Sequence, residues 1–364
     1  MAMERRSCCL CPSERVLTPV FSVERLPSTF SPTTQPCEED KFIDAEFGAC
    51  ESCSSVQLMN LVDPKFLYAA NHNQTSHSKT WQDHHQALAD FISAGLKERC
   101  AETVVFEVGG ASGDLARKLA HTCRSYTILE LAIPPIKTCD VPFVEGNSET
   151  FIFPRGCTVI LSHVFEHLYN PAVFVENCAA HGVTEVFISF PSMDLLDVVP
   201  IHIEHTYYAD PDDIVALFSR FSYALAIAID FRKHSHFYHF VKKASIATIA
   251  PRVDAARKDR ILMQFQARKE KMSSLVIPEN AFISPAGPYG QMLHYYAKCP
   301  IQGFLDNDVT KQHQRVYGTP YYALPFSVLE GKGAVPVFLH AGPYSAELIA
   351  QIQSINAEAQ ITLI

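Results

Sequence analysis

The chain has no surplus of positive charge: 39 acidic residues against 30 basic ones leave a formal net charge of −9 and a pI near 6.0. Without a basic field or stripe, little would attract a phosphate backbone, so nucleic acid is not an expected partner. Long hydrophobic runs are missing as well. The most apolar later stretch is broken by Arg220 and Asp230, and Met1-Ala-Met-Glu-Arg-Arg-Ser-Cys8 holds no apolar signal core. A cytoplasmic protein with no membrane partner is therefore expected. That setting also argues against a disulfide framework, although the chain has 12 cysteines.

What is present is a long chain, 364 residues with 48% hydrophobic content, which predicts two or three domains with sizeable cores. Half of the cysteines lie near the start, at Cys8, Cys9, Cys11, Cys37, Cys50 and Cys53. The Cys8-x-x-Cys11 and Cys50-x-x-Cys53 pairs have the spacing that puts two thiolates on adjacent corners of a tetrahedron, so a structural Zn²⁺ is predicted on these four. Cys9 and Cys37 stay open as replacement ligands or buried free thiols.

An amphipathic helix at 81–96 precedes an alternation of strand and helix patterns. Strands at 103–108, 126–131, 142–144, 158–161 and 183–190 predict βαβ units about a parallel sheet. The segments 221–231 and 235–241 read as a terminal hairpin, which completes a seven-stranded sheet. Its first strand runs into the glycine turn Glu107-Val-Gly109-Gly110-Ala-Ser-Gly113, followed by a helix at about 111–122. Glycines let a ligand approach the backbone, and the helix start offers unpaired N–H groups.

The turn lacks the Gly-x-Gly-x-x-Gly spacing of dinucleotide sites, and an acid at the strand end would repel a pyrophosphate. Glu107 suits the ammonium group of a methionine moiety instead. S-adenosylmethionine is thus the expected cofactor, with Glu130, at the end of the next strand, on the ribose hydroxyls. Gly109, Gly110, Gly113 and Ser162, at the fourth strand tip, belong to the same expected site.

Histidines cluster where the strands end. His163 and His167 follow the fourth strand, and Pro200-Ile-His202-Ile-Glu204-His205-Thr-Tyr-Tyr208 follows the fifth in a long connection. An imidazole beside a carboxylate is equipment for proton removal near neutral pH, so His205 with Glu204 is the predicted base, and a metal on His-x-Glu-His is the rival reading. The charged segment 254–271 reads as a helical connector with too few apolar positions for a core. Beyond it, 282–290 and Gln302-Gly-Phe-Leu-Asp306 repeat the strand, glycine turn, helix, strand, carboxylate order in degraded form. A strand at 335–340 and a helix at 344–354 follow. Substrate contact or domain packing is the expected use of this unit.

In this order the motifs resemble those of the sugar C-methyltransferases of deoxysugar biosynthesis, such as the 3-C-methyltransferases acting on dTDP-linked keto sugars. The resemblance rests on Cys8, Cys11, Cys50 and Cys53, then Glu107-Val-Gly-Gly110, then Glu204-His205-Thr-Tyr-Tyr208, then Gly303-Phe-Leu-Asp306-Asn-Asp308. It covers nearly the whole chain. It implies an α/β protein with a class I S-adenosylmethionine-dependent methyltransferase domain (80–246), an N-terminal zinc domain (1–79), a helical connector (247–278) and a C-terminal Rossmann-like domain (279–364). It also implies that His205 removes a proton beside a keto group, with Glu204, His163, His167 and Tyr208 in the catalytic pocket, and that Asn147 joins Glu107, Gly109 and Glu130 around the cofactor. The implied partner is a small molecule, a nucleotide-linked sugar. Family members carry tyrosines ahead of the 81–96 helix and two residues before the Glu-His pair, where this chain has Asn71, Asn73 and His202. O- or N-methyl transfer to a related sugar therefore stands as the alternative, ahead of a nicotinamide-dependent oxidoreductase or a zinc-bearing scaffold without activity.

Overall fold

A computed structural model describes residues 3–68, 79–191, 203–232, 234–342 and 345–364. The expected positions Asn71, Asn73, His202 and Tyr344, and most of the long connection after the fifth strand, lie outside them.

Seven strands form the central sheet: β1 Val104–Val108, β2 Ser125–Glu130, β3 Phe143–Glu145, β4 Thr158–Ser162, β5 Glu185–Pro191, β6 Tyr223–Phe231 and β7 Ser235–Lys242. Their order is β6-β7-β5-β4-β1-β2-β3. The first five run parallel, and β7 enters antiparallel between β5 and β6. This is the α/β sheet expected of the class I methyltransferase fold. Strands β1, β4 and β5 read as near-continuous apolar runs because both faces are covered, as a parallel core requires.

Helix α1, Lys79–Leu96, buries His84, Leu88, Phe91, Ile92 and Leu96 at helical spacing against Val105, Ile128, Ile160, Phe187 and Phe237. The opposite face of the sheet is filled by Phe106, Val159, Leu161, Phe174, Ile214 and Phe218, among others. The helix after the glycine turn, α2, spans Asp114–Leu119 and starts later than its sequence pattern suggests. Ala111 (φ 49°) and Gly113 (φ 98°) take left-handed conformations that keep the turn open until Asp114.

A four-stranded sheet built from Thr18–Pro27, Phe42–Ala49 and Val56–Leu58 takes its last strand, Tyr207–Tyr208, from the segment carrying Glu204 and His205. Five short parallel strands form the C-terminal sheet, in the order Ala323–Leu324, Gly303–Leu305, Phe282–Ser284, Pro336–Leu339, Gln360–Leu363.

Between the two small sheets lies α5, Ala255–Ser273, counted after α3 (Pro171–Ala180) and α4 (Pro211–Ser219). Its sequence reads as a connector, yet it buries Arg257, Ile261, Phe265 and Met272. Ile261, Phe265 and Met272 join Phe47 and Leu58 on one side and Ile283, Leu293 and Phe304 on the other in one hydrophobic cluster. The guanidinium of Arg257, 1% exposed, lies 2.7 Å from Asp210 and 2.6 Å from Asp213, and donates to the carbonyl of Cys53 at 2.9 Å. A buried ion pair explains the misreading, because a charge at a core position lowers the apparent amphipathicity of the helix. No helix among the described residues is long and apolar enough to cross a membrane.

Candidate active site

The parallel strands end on one side of the sheet, where an open α/β sheet presents its crevice. A cavity of about 660 Å³ opens there, large enough for a nucleoside-sized ligand. Gly109, Ala111, Glu130, Gly146 and Asn147 line one part of it, and Tyr68, His163, His167 and Tyr169 line another.

At the glycine turn, a Cβ on Gly109 would meet Val164 at 2.5 Å, and the residue's φ of 68° is left-handed. Glu130 crosses the turn and accepts the Ala111 N–H at 2.6 Å. Asn147 reaches the cavity but folds its amide oxygen back to accept the Glu149 N–H at 2.9 Å, so it meets a ligand with its amide N–H₂ and the remaining lone pair. Glu107 lies beneath the turn and does not line the cavity: it is 2% exposed, packs under Gly110 and accepts a hydrogen bond from the Tyr126 hydroxyl at 2.8 Å. Burial pushes its carboxyl up to about 8.

On the histidine side, His163 leaves β4 with φ 52° and sets Nδ1 3.2 Å from Glu166 Oε1 and Nε2 2.7 Å from Ser235 Oγ. Burial lowers His163 to about 3 and raises Glu166 to about 7, so the ring is neutral near pH 7. His167 sits on a single 3-10 turn, Phe165–His167, with Nδ1 2.8 Å from the Tyr68 hydroxyl. Burial holds that phenol well above its usual range. The His205 ring stands 5.0 Å from the His167 ring, edge to face, and ligand atoms of Glu166, His167 and His205 lie within 4.8 Å of one another. Sequence spacing gave the rival metal reading of His205 no third ligand; the fold supplies Glu166 and His167. Glu204 is buried beside this group.

The segment is anchored by a hydrogen bond from the Thr206 N–H to the carbonyl of Glu166 and by buried Arg5, which donates to the carbonyls of Thr206 and Tyr169. Neither His205 nor Glu204 is in the cavity wall, and two further expected residues lie elsewhere. Tyr208 turns into the core between Phe47 and Phe265, on the opposite face of its two-residue strand from Tyr207, and the buried Ser162 hydroxyl is not in the cavity wall. Gly110 and Gly113 shape the turn behind the wall. Sequence reasoning missed Tyr68, which lies within a run of ordinary residues and carries no motif.

The four paired cysteines meet: Cys8 and Cys53 are 3.7 Å apart at sulfur, Cys11 and Cys50 3.6 Å, and all four lie within 4.8 Å. A tetrahedral Zn²⁺ with Zn–S of about 2.3 Å requires sulfurs about 3.8 Å apart, so the donor set fits. The N–H groups of Leu10 and Cys11 point at Cys8 Sγ from 3.4 Å, as a thiolate would demand. Cys9 packs into the central core, where burial pushes its thiol up to about 12, and Cys37 is exposed. In the C-terminal unit, Asp306 occupies its own turn: it accepts the Ala286 N–H at 3.1 Å and pairs with Lys311 at 3.2 Å.

No protein-family model and no curated protein matches the chain. Among solved structures, 490 chains resemble it. One is magnesium protoporphyrin IX methyltransferase (ChlM) from Synechocystis PCC 6803 with bound SAH, at 14% identity over 48% of this chain and 91% of that one, TM-score 0.37. Another is an S-adenosylmethionine-dependent methyltransferase from Clostridium acetobutylicum ATCC 824, at 7% identity over 44% of this chain and 92% of that one, TM-score 0.36. A third is the N-methyltransferase NodS from Bradyrhizobium japonicum WM9 in complex with SAH, at 10% identity over 46% of this chain and 89% of that one, TM-score 0.36. At these identities and TM-scores the likenesses pass on no substrate and no residue role.

Proposed function

We propose that the protein is an S-adenosylmethionine-dependent methyltransferase that methylates a carbon of a nucleotide-linked keto sugar. The observation that carries this reading is the cavity at the tips of β1, β2 and β4, which has a glycine turn with Glu130 and Asn147 on one side and Tyr68, His163 and His167 on the other. Glu130 would hold the ribose hydroxyls, Asn147 the adenine amino group, and the turn the remaining donor atoms. The bound donor supplies an electrophilic methyl group on a sulfonium. His205 takes a proton from the carbon beside the keto group, Glu204 is its companion, and Tyr68 lends its hydroxyl to the oxyanion that forms. A second reading makes His167 the base, because its ring lines the cavity while no atom of His205 does.

The segment 1–79, with Cys8, Cys11, Cys50 and Cys53 holding a structural Zn²⁺, serves to fix the His205 segment, and 279–364 packs against it. The protein is assigned to the cytoplasm.

The reading is tested by incubating the protein with the donor and a pool of nucleotide-linked sugars. A product heavier by one methylene, with the new methyl on carbon by NMR, is expected. A methyl on oxygen or nitrogen contradicts the carbon assignment, and no transfer to any sugar contradicts the substrate class.

A further inference from the structure

Behind the cavity wall, three histidines from distant parts of the chain converge. His84 comes from α1, His163 from the tip of β4 and His234 from the turn between β6 and β7. One ring nitrogen from each lies within 4.8 Å of the others. We propose that His84, His163 and His234 form a binding site for a divalent transition metal of the zinc, cobalt and nickel class, separate from the cysteine site and independent of the methyltransferase reading.

Ring geometry supports this. With metal–nitrogen bonds of about 2.0–2.1 Å, an imidazole centre lies about 3.2 Å from the ion, and two such rings at a tetrahedral angle have centres about 5.2 Å apart. The observed centre-to-centre distances are 5.1 Å for His84 and His163, 5.2 Å for His163 and His234, and 5.7 Å for His84 and His234.

The second nitrogens of two of the rings are held as metal-bound imidazoles require. His163 directs Nδ1 to Glu166 at 3.2 Å, which leaves Nε2 for the cluster, the carboxylate–histidine arrangement that orients a ligand ring. His84 bonds Ser189 Oγ at 2.8 Å through Nε2. Its Nδ1 is fully buried and has no hydrogen-bond partner among the described residues, a desolvation cost that a coordinated cation would remove. The Ser235 hydroxyl stands 2.7 Å from His163 Nε2 and 2.6 Å from His234 Nδ1, so it competes with the cation for His163 and is placed to add an oxygen ligand.

Imidazole donors with at most one oxygen suit zinc, cobalt and nickel and disfavour magnesium and calcium, which take oxygen ligands. Such an ion would clip α1, β4 and the β6–β7 turn together and fix His163, a wall of the cavity, from behind.

Trp81, the chain's single tryptophan, reports on the site directly. Its ring centre is 5.0 Å from His84, 4.9 Å from His163 and 5.2 Å from His234. Co²⁺ titrated into protein that carries a single equivalent of zinc, taken up by the four-thiolate site, should quench tryptophan emission at least twofold, saturating at one equivalent, and excess Zn²⁺ should restore it. His234→Gln, on the turn between β6 and β7, should weaken the quench at least tenfold, and His84→Gln should abolish it, with circular dichroism unchanged in both. Emission indifferent to Co²⁺ in the wild type would overturn the proposal. So would quenching of equal affinity in both variants, which would place the ion elsewhere, as at Glu166, His167 and His205.

Discussion

Gln57 joins the cysteine cluster to the histidine segment: its side-chain amide donates to Cys8 Sγ at 2.8 Å, while its backbone pairs with Tyr207, two residues beyond His205. Metal on the cysteines should therefore be felt at the cavity. Cys11→Ala, or zinc removal by a chelator, is expected to raise hydrogen-exchange rates of the amides at 203–208 by tenfold or more, measured by mass spectrometry, ahead of any change in the central strands. Unchanged exchange there would separate the two sites.

Arg257 is the ionic centre of the interface between α5, α4 and the cysteine segment. Arg257→Met keeps its length but strands Asp213, which burial already pushes up to about 6, without its counter-charge. A loss of about 3–5 kcal/mol in denaturant unfolding is expected, because breaking one side of a buried pair leaves an uncompensated charge. The double variant Arg257→Met, Asp213→Leu should recover most of it.

Glu107 sets a pH dependence. Its folded value of about 8 lies above the unfolded value of about 4.3, so the folded state binds the proton more tightly. Its contribution to stability is complete below the unfolded value and is lost as pH rises through 8. Glu107→Gln keeps an acceptor for the Tyr126 hydroxyl and removes the titration. The variant should therefore gain on the wild type by about 3–5 kcal/mol between pH 4.5 and 8 in thermal or denaturant melts. A constant difference across that range would show that Glu107 is not a buried acid.

Tyr68, His167 and His205 are separable by kinetics. Tyr68→Phe removes the hydroxyl 2.8 Å from His167 Nδ1 and is expected to lower kcat about tenfold or more while donor binding holds. Of His167→Asn and His205→Asn, the variant of the true base should also stop solvent deuterium entering the acceptor without donor present, and the other should only slow it. An unchanged rate in His205→Asn would remove that residue from the chemistry.

Much of this was legible from the residues because local pattern and tertiary role coincide. The apolar strands of the central sheet, the glycine turn ending in Gly113 and the two Cys-x-x-Cys pairs each satisfy a local requirement that the fold then uses. The failures share a different origin. Arg257 reads as surface until Asp210 and Asp213 are seen around it, and Tyr208 is drawn into the core by a strand of two residues, too short for any period to show. Glu107 stands at the strand end, as expected, but the crowded turn above it leaves the carboxylate underneath. His84 and His234 lie 150 positions apart and meet only because α1 crosses the end of the β6–β7 hairpin.

The central claim, that the crevice at the tips of β1, β2 and β4 holds a sulfonium methyl donor, is tested most directly by calorimetry with S-adenosylhomocysteine. Saturable binding at one equivalent is expected, weakened at least tenfold in Glu130→Ala, and absent with NAD or NADP. No heat with S-adenosylhomocysteine, or heat with a nicotinamide dinucleotide in its place, would contradict it.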